Sequence, residues 1–358
     1  MTNYNKETYQ EQFSNKKILF TSNINPATSK EFFTSEFNGF RFRAEFKALK
    51  VDDEIFYGMT IDGKKKIIDS FPIVSASIQN LMPSLLNEIN KYQEISEKLF
   101  QIEFQASRNE EIMVSLIYHK ELDSNWVQTA KGIADKLSIS IIGRSKKQVV
   151  VLGTNYITEN YRFLEREFPL RLYEQCFSQT NPVICDAMLN WVAMNAPSQN
   201  ADIMELHCGL GTFTIPLSFL YKKVLATENS RPSIRALEKN IDANKRKNIF
   251  FGRLSGKETL EAHKGTREFR RLNSLNLDEF NFETIFLDPP REGLDGNTLK
   301  DLKEFKNIIY ISCGFDSFIR DLSELRKTHR IIKTAMFDQF PYTDHIESGA
   351  ILSRIAPN

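Results

Sequence analysis

The sequence predicts an α/β protein in two parts. An N-terminal α+β domain, mainly antiparallel, is expected over residues 1–166, and a doubly wound, Rossmann-like domain over residues 167–358. Three observations lead there. A length of 358 residues suits two hydrophobic cores rather than one. The first half carries several strand patterns and few helical ones, which argues for a mainly antiparallel sheet. From about residue 167 strands and helices alternate, the rhythm of a largely parallel sheet covered on both faces.

In residues 39–49, GFRFRAEFKAL, the apolar Phe40, Phe42, Ala44, Phe46 and Ala48 alternate with Arg41, Arg43, Glu45 and Lys47. That period reads as a half-buried strand with a mostly basic outer face. EIFYGMTI and KKKIIDSF flank Asp62-Gly63, a hairpin signal. Ile78, Leu81, Leu85, Ile89 and Tyr92 fall at helical spacing, with Pro83 marking a first turn or a kink. Strands follow at QIEFQAS and EIMVSLIYH, then a helix from Trp126 to Leu137, then strands at SISIIGRS and QVVVLG. In the second half an apolar helix, VICDAMLNWVAM (183–194), leads into strands at DIMEL, KVLATE, NIFFGR, TIFLD, NIIYIS and IIKTAMF. The sequence shows no repeat and no low-complexity linker.

Composition narrows the class. A hydrophobic fraction of 41% and a charged fraction of 26% are ordinary for a globular chain. The net charge of +1 means that any nucleic-acid partner must be met by a local basic face. The opening MTNYNKETYQEQF has neither apolar core nor small-residue cleavage site, so no signal peptide is expected. No apolar run approaches the ~20 residues that span a bilayer, and a cytoplasmic location is expected. Cys176, Cys185, Cys208 and Cys313 do not cluster with metal or iron–sulfur spacing, so free thiols and no metal centre are expected. Nothing in the sequence points to an obligate protein partner.

Two segments read as a ligand site. IMELHCGLGTF (203–213) is a strand, a turn and a helix start, in which Gly209 and Gly211 permit a tight turn and close approach to a ligand. Glu228 ends the next strand about twenty residues on, where an acidic residue can meet ribose hydroxyls. His207 stands where a dinucleotide loop would have its first glycine, and the acidic-x-x-C-G-x-G pattern is similar to the methyl-donor loop of class I methyltransferases. Cys208 reads as a small packed residue. FETIFLDPPREGLD (282–295) is a buried strand stopped by two prolines, which aims Asp288 into the crevice beyond the strand ends. Arg291 follows where adenine amino-methylating enzymes have an aromatic residue.

A nucleophile and a base complete the set. Cys313 stands at a strand end in KNIIYISCGFDSF, and Glu347 lies in FPYTDHIESGAIL. Uracil C5 is too weak a nucleophile to attack a methyl donor unaided. A thiolate added at C6 would activate it, and a base that takes the C5 proton would then let the thiolate leave.

Taken in order, RFRAEFK, FSQTNP, ELHCGLG, FLDPPREGLD, YISCGFDS and MFDQFPYTDHIESGAIL closely resemble the bacterial tRNA (uracil-5-)-methyltransferase family from about Phe40 to the C-terminus. The resemblance implies a class I methyltransferase domain. It implies transfer of a methyl group from S-adenosylmethionine to C5 of the T-loop uridine of tRNA (position 54), and also action on transfer-messenger RNA. Cys313 matches the nucleophile and Glu347 the proton acceptor. Gln179, His207, Thr212, Glu228 and Asp288 match donor-binding positions, with Asp288 also able to hydrogen-bond the uracil edge. His207 and Thr212 depart from the tyrosine and asparagine often found there. Relatives acting on ribosomal RNA commonly carry an extra N-terminal barrel, and some an iron–sulfur cluster, neither of which is expected here.

The target base is hidden in folded tRNA and must be flipped out, while phosphate contacts hold the RNA. Arg41, Arg43 and Lys47 on the alternating strand are expected RNA contacts, as are Arg144, Lys146 and Lys147 in GRSKK. The alternatives are an enzyme acting on ribosomal RNA uridines, or an RNA-folding protein in which methyl transfer is secondary.

Overall fold

The computed structural model describes residues 4–61, 63–272 and 275–356. The chain forms two compact units. One is built on Glu36–Asn160 with Arg171–Glu174, and the other on Glu7–Ser35, Tyr161–Leu170 and the chain from Gln175 onward. The single cut expected after residue 166 is therefore replaced by several crossings.

The first helix, α1 (Lys6–Asn23), buries only Tyr9, Lys16 and Phe20. After it β1 (Ser29–Phe33) lies parallel to a C-terminal strand, β16 (His329–Phe337), and pairs Ser29 with Lys333. This is why the N-terminal residues belong to the second unit. A partner some 300 residues away leaves no local signal.

The first unit is a seven-stranded sheet. It comprises β2 (Arg43–Val51), β3 (Glu54–Ile61), β4 (Lys64–Ile67), β5 (Leu99–Ala106), β6 (Ile112–Tyr118), β7 (Ser140–Ser145) and β8 (Gln148–Leu152), ordered β4-β3-β2-β5-β6-β7-β8. All described neighbours are antiparallel except β6 and β7, which run parallel because α4 (Ser124–Leu137) crosses between them. In β2 the expected alternation appears as buried Ala44 and Phe46 against outward Glu45. Phe40 is buried ahead of the strand, and Arg41 lies outside it, in an isolated bridge to Val74. Ser75 caps α2 (Ala76–Lys91), which packs Ile78, Leu81, Leu85 and Ile89 inward and holds Pro83 in its interior; α3 (Gln93–Ser96) follows. Asp62 of the β3–β4 turn lies outside the described residues. The hairpin β9 (Tyr156–Phe163) and β10 (Arg166–Tyr173) then leads to the rest of the second unit.

There the sheet order is β1-β16-β17-β15-β14-β11-β12-β13. Its members are β11 (Asp202–Leu206), β12 (Val224–Thr227), β13 (Ile249–Gly252), β14 (Phe282–Leu287), β15 (Asn307–Ser312), β16 (His329–Phe337) and β17 (Glu347–Arg354), with β1 at one edge. Among the described residues only β17 runs against its neighbours. The intervening helices are α5 (Pro182–Asn195), α6 (Thr214–Leu220), α7 (Arg231–Ala243), α8 (Gly256–His263), α9 (Gly296–Asp301) and α10 (Phe315–Leu325). Central strands such as β11 and β15 are buried at every position, as expected for a sheet covered on both faces. Phe20 and Ile24 join the core formed with Met204, Ile285, Tyr310, Phe318 and Met336.

Candidate active site

Parallel strands end together, so whatever follows each one is delivered to a common edge. Leu206 pairs with Thr227 on one side and Leu287 on the other, and Leu287 pairs with Tyr310. His207, Glu228 and Asp288 are the next residues of β11, β12 and β14. The antiparallel ladder between β15 and β17 closes with Ser312 opposite Ser348. Cys313 and Glu347 are the next residue of each chain, so reversal of β17 brings the two ends of the C-terminal segment face to face.

The electrostatics of this edge are unusual. Glu347 is 2% exposed. Burial first, then the charge of Asp288, pushes its carboxyl well above the ordinary range, while Arg291 opposes. Burial also raises Asp288. Two desolvated carboxyls that feel one another do not both ionise readily. The Cys313 thiol is pushed up to about 11 by burial, Glu347 and Asp288, and is pulled down by the charge of Arg291 and a hydrogen bond from it. Arg291 thus favours the ionised form of both Cys313 and Glu347.

Its placement is built. Ser317 Oγ donates to the Arg291 carbonyl at 2.7 Å, and a Cβ on Gly314 would stand 2.3 Å from that same oxygen. Glycine after Cys313 is what lets the two loops touch. Asp321, fully buried on α10, accepts from Leu294 N at 2.9 Å and from Tyr310 Oη at 2.7 Å. Arg320 donates to Asp321 and to the carbonyls of Glu292 and Leu294. The loop 289–294 is therefore fastened along its length to the first turns of α10. In the sequence Arg291 stands out only by its position after Asp-Pro-Pro.

The Gly209 loop suits a nucleoside. His207 and Gly209 have φ of +61° and +56°, and a Cβ on Gly209 would meet nothing within 4 Å, so the backbone leaves room for a ligand at that point. Glu228 accepts from Gly209 N at 3.2 Å and from Ser230 N at 2.7 Å, which fixes its carboxylate at the mouth of the turn. His207 is pulled below the usual imidazole range by burial. Thr212 is partly exposed just before α6. Gln179, buried ahead of α5, meets the Gln339 amide at 2.9 Å. Cys208 is buried, and its thiol is raised well above the ordinary value by burial. One residue was overlooked. Glu205 is buried in β11 with Oε2 unpartnered, and burial together with Asp288 and Glu228 pushes it up to about 8. These polar groups fit a cationic donor with ribose hydroxyls. Among the described residues no group of three or more His, Cys, Asp or Glu could hold a metal ion.

In the other unit the expected basic residues have different fates. The Arg41 Nε donates to the Arg43 carbonyl at 2.8 Å, within its own segment. Arg43 reaches the Glu174 carbonyl at 3.4 Å, and the Arg144 guanidinium is held by the Glu174 carboxylate. Lys47 donates to Gln101 and lies 4.4 Å from the centre of the Phe100 ring. Lys146 and Lys147 are exposed at the β7–β8 turn. Phe100, 40% exposed, also meets the His119 ring at 4.5 Å. An exposed aromatic flanked by a cation suits an unstacked base. It was not seen in sequence because a lone Phe in a strand looks like core.

The sequence matches the family described as tRNA (Uracil-5-)-methyltransferase over residues 8–355. It is 42% identical to the tRNA/tmRNA (uracil-C(5))-methyltransferase of Acinetobacter baylyi, covering 98% of this chain and 99% of that protein. Against the protein of the same name from Aliarcobacter butzleri identity is 44%, covering 98% and 95%. The fold is similar to the crystal structure of Pyrococcus abyssi tRNA (uracil-54, C5)-methyltransferase in complex with S-adenosyl-L-homocysteine. The TM-score is 0.73 over 96% of this chain and 83% of that one, at 20% identity.

Proposed function

Since the chain belongs to the tRNA (uracil-5-)-methyltransferase family, we propose that Cys313 and Glu347 are its nucleophile and base, acting on uridine 54 in the T loop. The protein is an S-adenosylmethionine-dependent methyltransferase for uracil C5 in tRNA. The observation that supports the residue assignment best is the meeting of Cys313 with Glu347 at the end of one ladder, beside Asp288 and Arg291.

The Cys313 thiol gives up its proton to solvent, Arg291 stabilises the thiolate that results, and the thiolate adds to C6, making an S–C bond and leaving the electron pair on the ring as an enolate. When bound, S-adenosylmethionine would be held by Glu228, Gln179, His207, Thr212, Asp288 and the Gly209–Gly211 turn, and would supply an electrophilic methyl group to which C5 gives that electron pair, the S–CH3 bonding electrons staying on sulfur as a neutral thioether. Glu347 then takes the C5 proton. The electrons of that C–H bond restore the C5–C6 double bond and expel the thiolate, which frees the methylated RNA. Asp288 sits between donor and base, where a neutral or ionised carboxyl can bond the uracil edge.

RNA is engaged, in this reading, by the Lys47–Phe100–His119 group and by Lys146 and Lys147, with Arg41, Arg43 and Arg144 shaping the face. The tRNA-like part of transfer-messenger RNA is a second substrate, and the enzyme works in the cytoplasm. Among the described residues no helix is long and apolar enough to cross a membrane.

The test uses tRNA carrying 5-fluorouridine, which has no C5 proton to lose. A donor-dependent covalent complex should form with the wild type and be absent with Cys313→Ala. On ordinary tRNA, Glu347→Gln should accumulate a methylated adduct. A complex formed equally well by Cys313→Ala would remove the thiol from the mechanism.

A further inference from the structure

We infer that the N-terminal helix α1 is a clamp for the catalytic base, with Lys16 as a positioning residue for Glu347. The inference rests on the reading of Glu347 as the base. Glu347 opens β17 and pairs with Phe337, the last residue of β16. Residues 338–346 join the two, so the course of this connection decides where Glu347 stands. It is held chiefly from α1. Lys16 Nζ donates to Asp338 Oδ1 at 2.8 Å and to the Phe340 carbonyl at 2.9 Å. One turn earlier Gln12 donates to the Thr343 carbonyl at 2.6 Å and accepts from Tyr342 N at 3.2 Å. A turn before that, the Tyr9 ring lies 6.1 Å from the Tyr342 ring. Three successive positions on one helix face therefore grip both halves of the connection.

The bridge also reaches the donor side. Asp338 and Phe340 flank Gln339, whose amide meets Gln179. By gripping both neighbours, Lys16 sets the height of Gln339 as well as the start of the connection. The chemistry of the grip argues for placement rather than stability. The Lys16 and Asp338 side chains are 5% and 0% exposed, and burial pulls the lysine below its ordinary value. A buried ion pair adds little over a packed apolar pair of similar volume. What it does supply is fixed direction, since the ammonium can bond the carboxylate and the Phe340 carbonyl together only in one arrangement.

The experiment separates adduct formation, which does not need the base, from product release, which does. Wild type, Glu347→Gln, Lys16→Met, Lys16→Arg and Gln12→Ala are compared on 5-fluorouridine tRNA and on ordinary tRNA. Lys16→Met should form the fluorinated adduct within roughly threefold of wild type, yet release ordinary product about tenfold or more slowly, because a small misplacement of a catalytic group is costly. Methylated adduct should then accumulate on ordinary tRNA, and Lys16→Arg should restore part of the release. Parallel loss of both steps, or unchanged release, would overturn the clamp. Should Lys16→Met melt far below wild type, Gln12→Ala, at a half-buried position, carries the same comparison, and unchanged release there overturns the idea. If Glu347→Gln fails to stall, the base assignment falls and the clamp with it. If Glu347→Gln stalls while Lys16→Met releases normally, only the clamp falls.

Discussion

At Cys313 the surroundings work against the reactivity that the mechanism needs. Burial, Glu347 and Asp288 hold the thiol up to about 11, and only Arg291 pulls the other way. In the proposed mechanism the thiolate is the nucleophile, so its fraction limits adduct formation at neutral pH. Below the thiol's own value each added pH unit multiplies the thiolate about tenfold, so the adduct rate should climb with pH across the neutral and mildly alkaline range. Arg291→Ala removes one charged hydrogen bond, worth about 1.5–3 kcal/mol, and should slow adduct formation roughly tenfold to a hundredfold. Rapid-quench measurement on 5-fluorouridine tRNA across pH checks both, and a flat profile with an unaffected Arg291→Ala would refute them. Cys313, Glu347, Glu228 and Asp288 were visible as candidates because each lies in a compact motif. Arg291 was not. Its role depends on a carbonyl held by Ser317 and on the missing side chain of Gly314, which come from another part of the chain. Lys16 was hidden more deeply, since its partner is 322 positions away.

Among the elements, the loop 289–294 and helix α10 behave as one part. Asp321 satisfies Leu294 N and Tyr310 Oη inside the core, so Asp321→Ala strands two buried donors. At ~1–3 kcal/mol for each unsatisfied group, a loss of about 2–6 kcal/mol is expected, read from the urea midpoint. Tyr310→Phe removes only a donor and should cost about 1 kcal/mol. If Asp321→Ala were no less stable than Tyr310→Phe, the loop would owe its position to something else. How legible an element was follows from its burial. β2 shows a period of two because one face is covered. The first six positions of β17 are all buried, so ESGAIL gives no alternation to find. β9 does alternate, but Glu159 is among its buried residues, paired with Arg108, and a charge facing inward breaks the pattern. Polar α1 gave no apolar stripe at all.

For the molecule as a whole, the two-part architecture was legible from the change of rhythm near residue 167, whereas the assignment of residues 7–35 was not. That assignment has a consequence in time. β1 pairs with β16, so Ser29 must wait for Lys333. At about 5–20 residues per second, the gap of roughly 300 residues takes on the order of 15–60 s to synthesise. Throughout that interval SKEFF is a strand without its neighbour, and α1 lacks Asp338. A ribosome-stalled chain ending before His329 should therefore be cut by protease within residues 7–35 while Glu36–Asn160 resists, and the finished protein should resist in both places. Protection of residues 7–35 in the stalled chain would show that they dock before their partner exists. Lys30 and Glu31 interrupt the apolar character of the waiting strand, the usual guard on an unpaired edge. The last strands to leave the ribosome thus close a sheet whose first strand was among the earliest residues made, so Cys313 and Glu347 are brought together only as synthesis ends.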